Sequence, residues 1–387
     1  MFDNLSFMEE NSTASSSVFE FDDYTQRVII AVFYLLISVL AFSGNTLVIL
    51  AVVLSRKVRT TTNAFVVNLS VADLLASTVL PLDAAILLTK DGRPFGEWVC
   101  GLVTFIKLTS IGCSMFSLAF IAINRLILIT RPLTLYPVVY TPRKVGVWLV
   151  AAWLVPIVLD ILPLVLGIGG FVFSSRYHIC GSNTSHPAYP LYNIFVLVLA
   201  NLVPLIIIIV CYVIIWRTLI KRSETLAGPS QDHSSSHNTA MVDMKQDDPD
   251  KSQHQDGSSS SQDAAKAVEV PEHQESKGST SKDGDSHVSR WQIKVTKNMF
   301  YVVCAFVLCL LPYTIGVFFG HNYARPYLFV LVLFNSCVNP MIYAAKHRDF
   351  RAIFVCIVRR KWELIPEPSE TLKYLKRHGI CGCKQAW

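Results

Sequence analysis

The chain has 387 residues, of which 52% are hydrophobic and only 16% charged. Apolar content at that level, gathered in long uninterrupted runs, excludes a soluble globular domain. The net charge of +6 is modest, and the ten cysteines are too scattered for a small disulfide framework.

Residues 1–27 are polar and acidic, with Glu9, Glu10, Glu20, Asp22 and Asp23. They lack a basic n-region and a short apolar h-region, so they are not a cleaved signal peptide. The sequons at Asn4 and Asn11 predict a glycosylated, extracellular segment. Apolar runs follow at Val28–Leu54, Asn63–Leu88, Gly101–Thr130, Val145–Gly167, Leu191–Ile220, Val295–Phe319 and Pro326–Ala345. Each is long enough to cross about 30 Å of hydrocarbon as a helix. Seven spans put the termini on opposite sides.

Basic residues sit in alternate connections: Arg56, Lys57 and Arg59, then Arg131, Arg143 and Lys144, then Lys221 and Arg222, and Lys346, Arg348 and Arg351 after the last span. The positive-inside rule therefore predicts an extracellular N-terminus and a cytoplasmic C-terminus. The chain divides into a tail (1–27), five spans (28–222), a third cytoplasmic loop (223–289), two spans (290–346) and a final segment (347–387). The loop is rich in Ser, Asp, Gln, His and Lys without periodicity, and is predicted to be disordered. In the final segment Phe350, Ile353, Phe354 and Ile357 recur at helical spacing among basic residues, predicting an amphipathic eighth helix on the bilayer surface. The expected fold is thus an all-α membrane protein, a seven-transmembrane helix bundle.

Polar residues inside the spans carry the functional reading. Arg125 lies about two turns inside the boundary marked by Arg131-Pro132, where a charged side chain costs at least about 2.5–3.5 kcal/mol. Asn45 follows Gly44 on span one, Asp73 ends Leu69-Ser70-Val71-Ala72-Asp73, Pro204 and Pro312 interrupt spans five and six, and Asn339-Pro340-Met341-Ile342-Tyr343 ends span seven. Taken singly, each is interhelical glue or a kink.

Taken together, in this order and with Cys100 placed 25 residues before Arg125, they resemble the rhodopsin-like G-protein-coupled receptors from about Val28 to Arg360. The resemblance implies a disulfide between Cys100 and Cys180 and a sodium pocket of Asp73, Ser114, Asn335, Ser336 and Asn339. Beyond that ion it implies no metal and no cofactor. It implies coupling through Asn124, Arg125, Tyr212, Phe306, Pro312, Asn339, Pro340 and Tyr343, with span six swinging about Pro312 to admit a heterotrimeric G protein. Receptor kinases and arrestin are implied as further partners and the plasma membrane as the location; nucleic acid is not. Asn183 is a third sequon, and Cys356, Cys381 and Cys383 are palmitoylation candidates by position.

The departures are specific. Asn124 replaces the family's acid before the Arg, Leu126 the Tyr after it, Leu310 the span-six Trp, and Gln292 stands where an acid often holds the Arg. The resting state is therefore expected to be weakly held, with a ligand-independent, constitutively active receptor as one alternative. Lys107 occupies the amine receptors' Asp position and Leu333 the opsins' Lys position, so both subfamilies are disfavoured. A buried Lys107 must be paired, either with Asp83 on span two or with a ligand carboxylate. Tyr192, Asn193, Tyr313, Thr314, Arg325 and Tyr327 would line the same pocket, for an anionic or peptide ligand. Asp160 is a more distant candidate partner of Lys107.

An intramembrane enzyme is excluded by the lack of any catalytic constellation. A transporter could use Asp73, Lys107, Arg125 and Asp160 as a charge path, but the spans show no internal repeat.

Overall fold

The computed structural model describes residues 23–89, 96–174, 177–183, 185–227, 301, 304–317, 319 and 324–378. Asn4, Asn11, Gln292, Cys381, Cys383 and most of the predicted third loop lie outside them.

Helices form where the apolar runs predict, but begin earlier than the hydrophobicity does. α1 (Tyr24–Leu54) starts behind Asp23, whose carboxylate accepts from the Thr25 amide at 2.9 Å. α2 (Thr61–Leu88) starts behind Thr60, whose hydroxyl accepts from the Asn63 amide. α3 is Glu97–Thr130, and α4 (Pro142–Val165) has its proline in the first turn, where no N–H is required. The polar first turn satisfies orphan amides, so a search for apolar residues misses it.

α5 comprises Tyr189–Leu197 and Val203–Ala227 joined by a π-helical turn at Val198–Leu202, just before Pro204. It runs into the segment expected to be loop from residue 223. α6 is described over Cys304–Val317; of the start of the predicted Val295–Phe319 span, 295–300 and 302–303 lie outside the described residues. α7 (Arg325–Lys346) and α8 (Arg348–Val358) complete the expected set. Among the described residues six helices are long and apolar enough to cross a membrane, and α6 is a shorter apolar one. The chain is a multi-pass membrane protein.

Two glycines show how tightly the helices meet. A Cβ on Gly44 would come within 2.8 Å of the Pro340 ring, and one on Gly112 within 2.6 Å of Pro156. α1 thus presses on α7, and α3 on α4, through contacts that only glycine allows. The core runs along the bundle axis through Phe65, Met115, Ile208, Ile215 and Phe306. The outward faces of α1, α4 and α5 expose Leu36, Val39, Val147, Val150 and Trp216, an apolar coat suited to hydrocarbon.

Two elements modify the expected picture. A β-hairpin, β1 (Phe171–Ser174) with β2 (Ile179–Ser182), pairs Phe173 opposite Cys180, so the fold is not purely helical. At the other end of the bundle, the segment after α8 folds back onto the end of α1. Ser55 and Pro368 form an antiparallel bridge, the Ser369 amide donates to Leu54 O, and the Arg56 amide donates to Glu367 O. Ser369 then caps α9 (Glu370–Arg377), accepting from the Leu372 amide while its hydroxyl donates to Val53 O at 2.7 Å. Leu372 and Ile365 are buried beneath. The last segment is therefore a docked element as far as 378.

Candidate functional site

Three polar sites lie along the bundle. At the end carrying the hairpin, Cys100 at the start of α3 is disulfide-bonded to Cys180 of β2, holding the hairpin across the helix ends. Beneath it is a cavity of about 200 Å³, bounded by α3, α4, α5, α6 and α7. Tyr192, Asn193 and Tyr313 line it, as the sequence predicts, together with Asp160, Tyr189 and Phe329. The Tyr192 hydroxyl donates to Leu159 O. Asp160 Oδ2 accepts from Thr109 Oγ1 at 2.7 Å.

Lys107 and Asp83 are not among the lining residues. They form a closed ion pair, Nζ to Oδ2 at 2.6 Å, with side chains 4% and 0% exposed. Lys107 Nζ lies over the ring of Phe329, 5.6 Å from its centroid, and Phe329 does line the cavity. Three more predicted ligand residues are also elsewhere. Thr314 donates to its own helix at Leu310 O, Tyr327 bonds Gln26 on α1 at 2.5 Å, and Arg325 begins α7 outside the lining. Helix rotation decides these placements, and a linear pattern does not encode rotation near a helix end.

Midway along the bundle, Asp73 is buried and gathers three helices. Its Oδ1 accepts from Ser114 at 3.0 Å and Ser336 at 2.8 Å, and its Oδ2 from Asn339 Nδ2 at 3.1 Å. All three donors are neutral, and no cationic side chain pairs with Asp73 among the described residues. A small cavity of about 10 Å³ adjoins it, lined also by Asn335. That is about the space of one water molecule. All five residues of the predicted sodium pocket are thus brought together. Asn45 Nδ2 braces the same region, donating to Ala41 O and, across to α7, to Ser336 O at 3.0 Å.

At the far end Arg125 is 8% exposed and pairs with no carboxylate among the described residues. Tyr212, Tyr136 and Tyr343 lie within electrostatic reach of it, as does His347. Asn124 has its carbonyl turned to α2, where Thr62 Oγ1 donates to it at 2.6 Å. Tyr343 stacks on Phe350 of α8 with ring centroids 5.6 Å apart, joining the Asn-Pro-x-x-Tyr segment to the surface helix. Phe306 is fully buried, and Pro312 lies inside α6. Asn183 is partly exposed beside β2, and Cys356 is half-buried on α8.

Three groups are not singled out by the sequence pattern. Asn68 on α2 accepts from Trp153 Nε1 of α4 at 2.9 Å and donates to Ser117 of α3 at 2.8 Å, tying three helices. The Thr109–Asp160 bond and the Ser369 latch are the others. A lone Asn, Thr or Ser in its run is the only signal for each.

Known proteins show the same pattern. Residues 44–343 match the family described as 7 transmembrane receptor (rhodopsin family). The chain is 28% identical over 380 residues to the G-protein coupled receptor moody of Drosophila melanogaster, covering 92% of this chain and 54% of that protein. It is 30% identical over 381 residues to the Alpha-1D adrenergic receptor of Mus musculus, covering 93% and 63%. It is 27% identical over 345 residues to the Octopamine receptor beta-2R of Chilo suppressalis, covering 83% and 77%. The chain therefore spans little more than half the length of moody. The crystal structure of squid rhodopsin superimposes with a TM-score of 0.66 at 16% identity, covering 92% of this chain and 91% of that one, a likeness of fold. Relatives named adrenergic and octopamine receptors lend no support to excluding the amine receptors, an exclusion that rests on Lys107 alone.

Proposed function

The chain belongs to the rhodopsin family of seven-transmembrane receptors, and from that footing we propose that it binds an extracellular ligand within its helices and activates heterotrimeric G proteins. The single observation that carries this reading is Arg125, buried among tyrosines at one end of the bundle with no carboxylate beside it among the described residues. A stable buried charge needs a function, and a partner helix entering beside Arg125, Tyr212 and Tyr343 would supply it. The hairpin end, with its cavity and Asn183, is the outer side; the basic Arg125 end, with α8 and α9, faces the cytoplasm of a cell whose plasma membrane holds the chain. Ligand binding above shifts the population toward a state in which α6 has swung outward about Pro312.

Asp73 with Ser114, Asn335, Ser336 and Asn339 fits a sodium ion: the carboxylate supplies the charge, and the hydroxyls and amides supply further oxygens. The ion would favour the inactive arrangement by linkage. Leu333 rules out a retinal Schiff base at the opsin position. Receptor kinases and arrestin would act on serines of the long loop, Ser234–Ser236 and Ser258–Ser261, where phosphate adds dense negative charge. Glycans at Asn4, Asn11 and Asn183 and acyl chains at Cys356, Cys381 and Cys383 complete the proposal.

The test is guanine-nucleotide exchange on added G protein by membranes carrying the chain, beside solute flux in liposomes. Exchange without flux is the expected result, and flux without exchange would favour a transporter.

A further inference from the structure

We propose that Asp160 on α4 is the anionic anchor of the ligand cavity and that the ligand presents an ammonium or other organic cation to it. This deepens the receptor reading and rests on it. Lys107 is unavailable to a ligand anion, because Asp83 holds it at 2.6 Å, both side chains are buried, and it is not among the residues lining the cavity. The cavity itself is lined by one carboxylate, Asp160, and by no Lys, Arg or His among the described residues. Thr109 is the hydrogen-bond partner of Asp160, and no ion pair among the described residues neutralises it.

The walls beside the carboxylate are aromatic. Tyr189 and Tyr192, with ring centroids 6.2 Å apart, lie within electrostatic reach of Asp160. Tyr313 and Phe329 close the opposite side with centroids 5.6 Å apart. A carboxylate among aromatic faces is the arrangement that recognises a desolvated cation, through charge and through the ring quadrupoles together. The same walls reject an anion, which would meet an uncompensated like charge. Thr109 orients the carboxylate from α3, so a cation drawn to Asp160 bears directly on the helix that carries Arg125.

The experiment uses the full chain in cell membranes with Val196→Cys, which puts a thiol on the cavity wall. Its labelling rates are measured with 2-(trimethylammonium)ethyl methanethiosulfonate and with 2-sulfonatoethyl methanethiosulfonate, against the parent background. The cation-to-anion rate ratio is expected to fall about tenfold on adding Asp160→Asn and to persist with Asp160→Glu. Millimolar 2-phenylethylammonium should slow labelling by a neutral thiol reagent, whereas 2-phenylethanol should not, and Asp160→Asn should weaken that protection at least about fivefold. A ratio unchanged by Asp160→Asn, equal protection by the alcohol, or no protection would overturn the assignment. Cation preference in a chain that drives no nucleotide exchange would leave this site standing and overturn the receptor reading; exchange without cation preference would do the reverse.

Discussion

Lys107 Nζ donates to Asp83 Oδ2 across 2.6 Å, from α3 to α2, with neither side chain open to solvent. Two unlike charges so placed hold each other ionised in a low-dielectric setting, and each becomes a liability when the other is removed. Lys107→Ala should therefore destabilise the fold by about 3–5 kcal/mol. The charge swap Lys107→Asp with Asp83→Lys should recover most of that loss. Thermal unfolding of the purified variants checks both, and a swap no more stable than the single variant would show that packing around the pair, not its charge, is decisive.

Asp73→Asn keeps the shape of the side chain, removes its charge and replaces one of its two acceptor oxygens by a donor. If a sodium ion sits there, the parent should gain about 1.4 kcal/mol of stability at sodium tenfold above its Kd, with choline as the control cation. The Asn variant should gain none. Equal responses of parent and variant to the two salts would count against an ion at Asp73.

The latch between the last segment and α1 is a local prediction. Ser369→Ala removes the α9 cap and the bond to Val53 O, and should cost about 1–2 kcal/mol of local stability. Amide hydrogen exchange over 362–377 should speed accordingly. Arg56→Ala, which removes only an exposed pair with Glu370, should change it little. Equal effects of the two substitutions would contradict the assignment of the latch to Ser369.

His347 joins α7 to α8. Burial pushes its pKa below the ordinary 6.5, opposed by Asp349 and reinforced by Arg125. The folded chain thus binds this proton less well than the unfolded one. Stability at the junction is full above about 6.5 and falls as the pH drops through that value toward the lowered folded pKa. Exchange protection of α8 should decline as the pH falls below about 6.5 in the parent and stay flat in His347→Gln. A parallel decline in both would point to another group.

Some of these features are legible in the amino-acid sequence and some are not, and the division is physical. The Asp73 cluster is readable because motifs on α2, α3 and α7 fix positions deep in packed helices, where rotation is set by Gly44 against Pro340 and Gly112 against Pro156. The Lys107–Asp83 pair is readable as one of two choices, since two buried opposite charges must meet something. The place of Asp160 in the cavity is not readable: its helix is apolar all round, so no periodicity says which face carries the carboxylate. Arg325, Tyr327 and Thr314 are not among the lining residues, although Arg325 lies within electrostatic reach of Tyr313, and a linear pattern does not encode rotation near a helix end. The latch is illegible because Trp362–Arg377 is short, and what holds it, the bonds of Ser55, Arg56 and Ser369 and the burial of Ile365 and Leu372, joins it to the end of α1 more than 300 residues away in sequence.

The central claim is that the buried, unneutralised Arg125 end engages a G protein. The direct measurement is GDP release from purified heterotrimeric G protein by the full chain in lipid nanodiscs, without added ligand. Because Asn124 is turned to Thr62 and brings no charge, release should exceed the spontaneous rate, fall with Asn124→Asp, and vanish with Arg125→Ala at equal receptor amount. Release no faster than the spontaneous rate, or release indifferent to Arg125→Ala, would contradict the account.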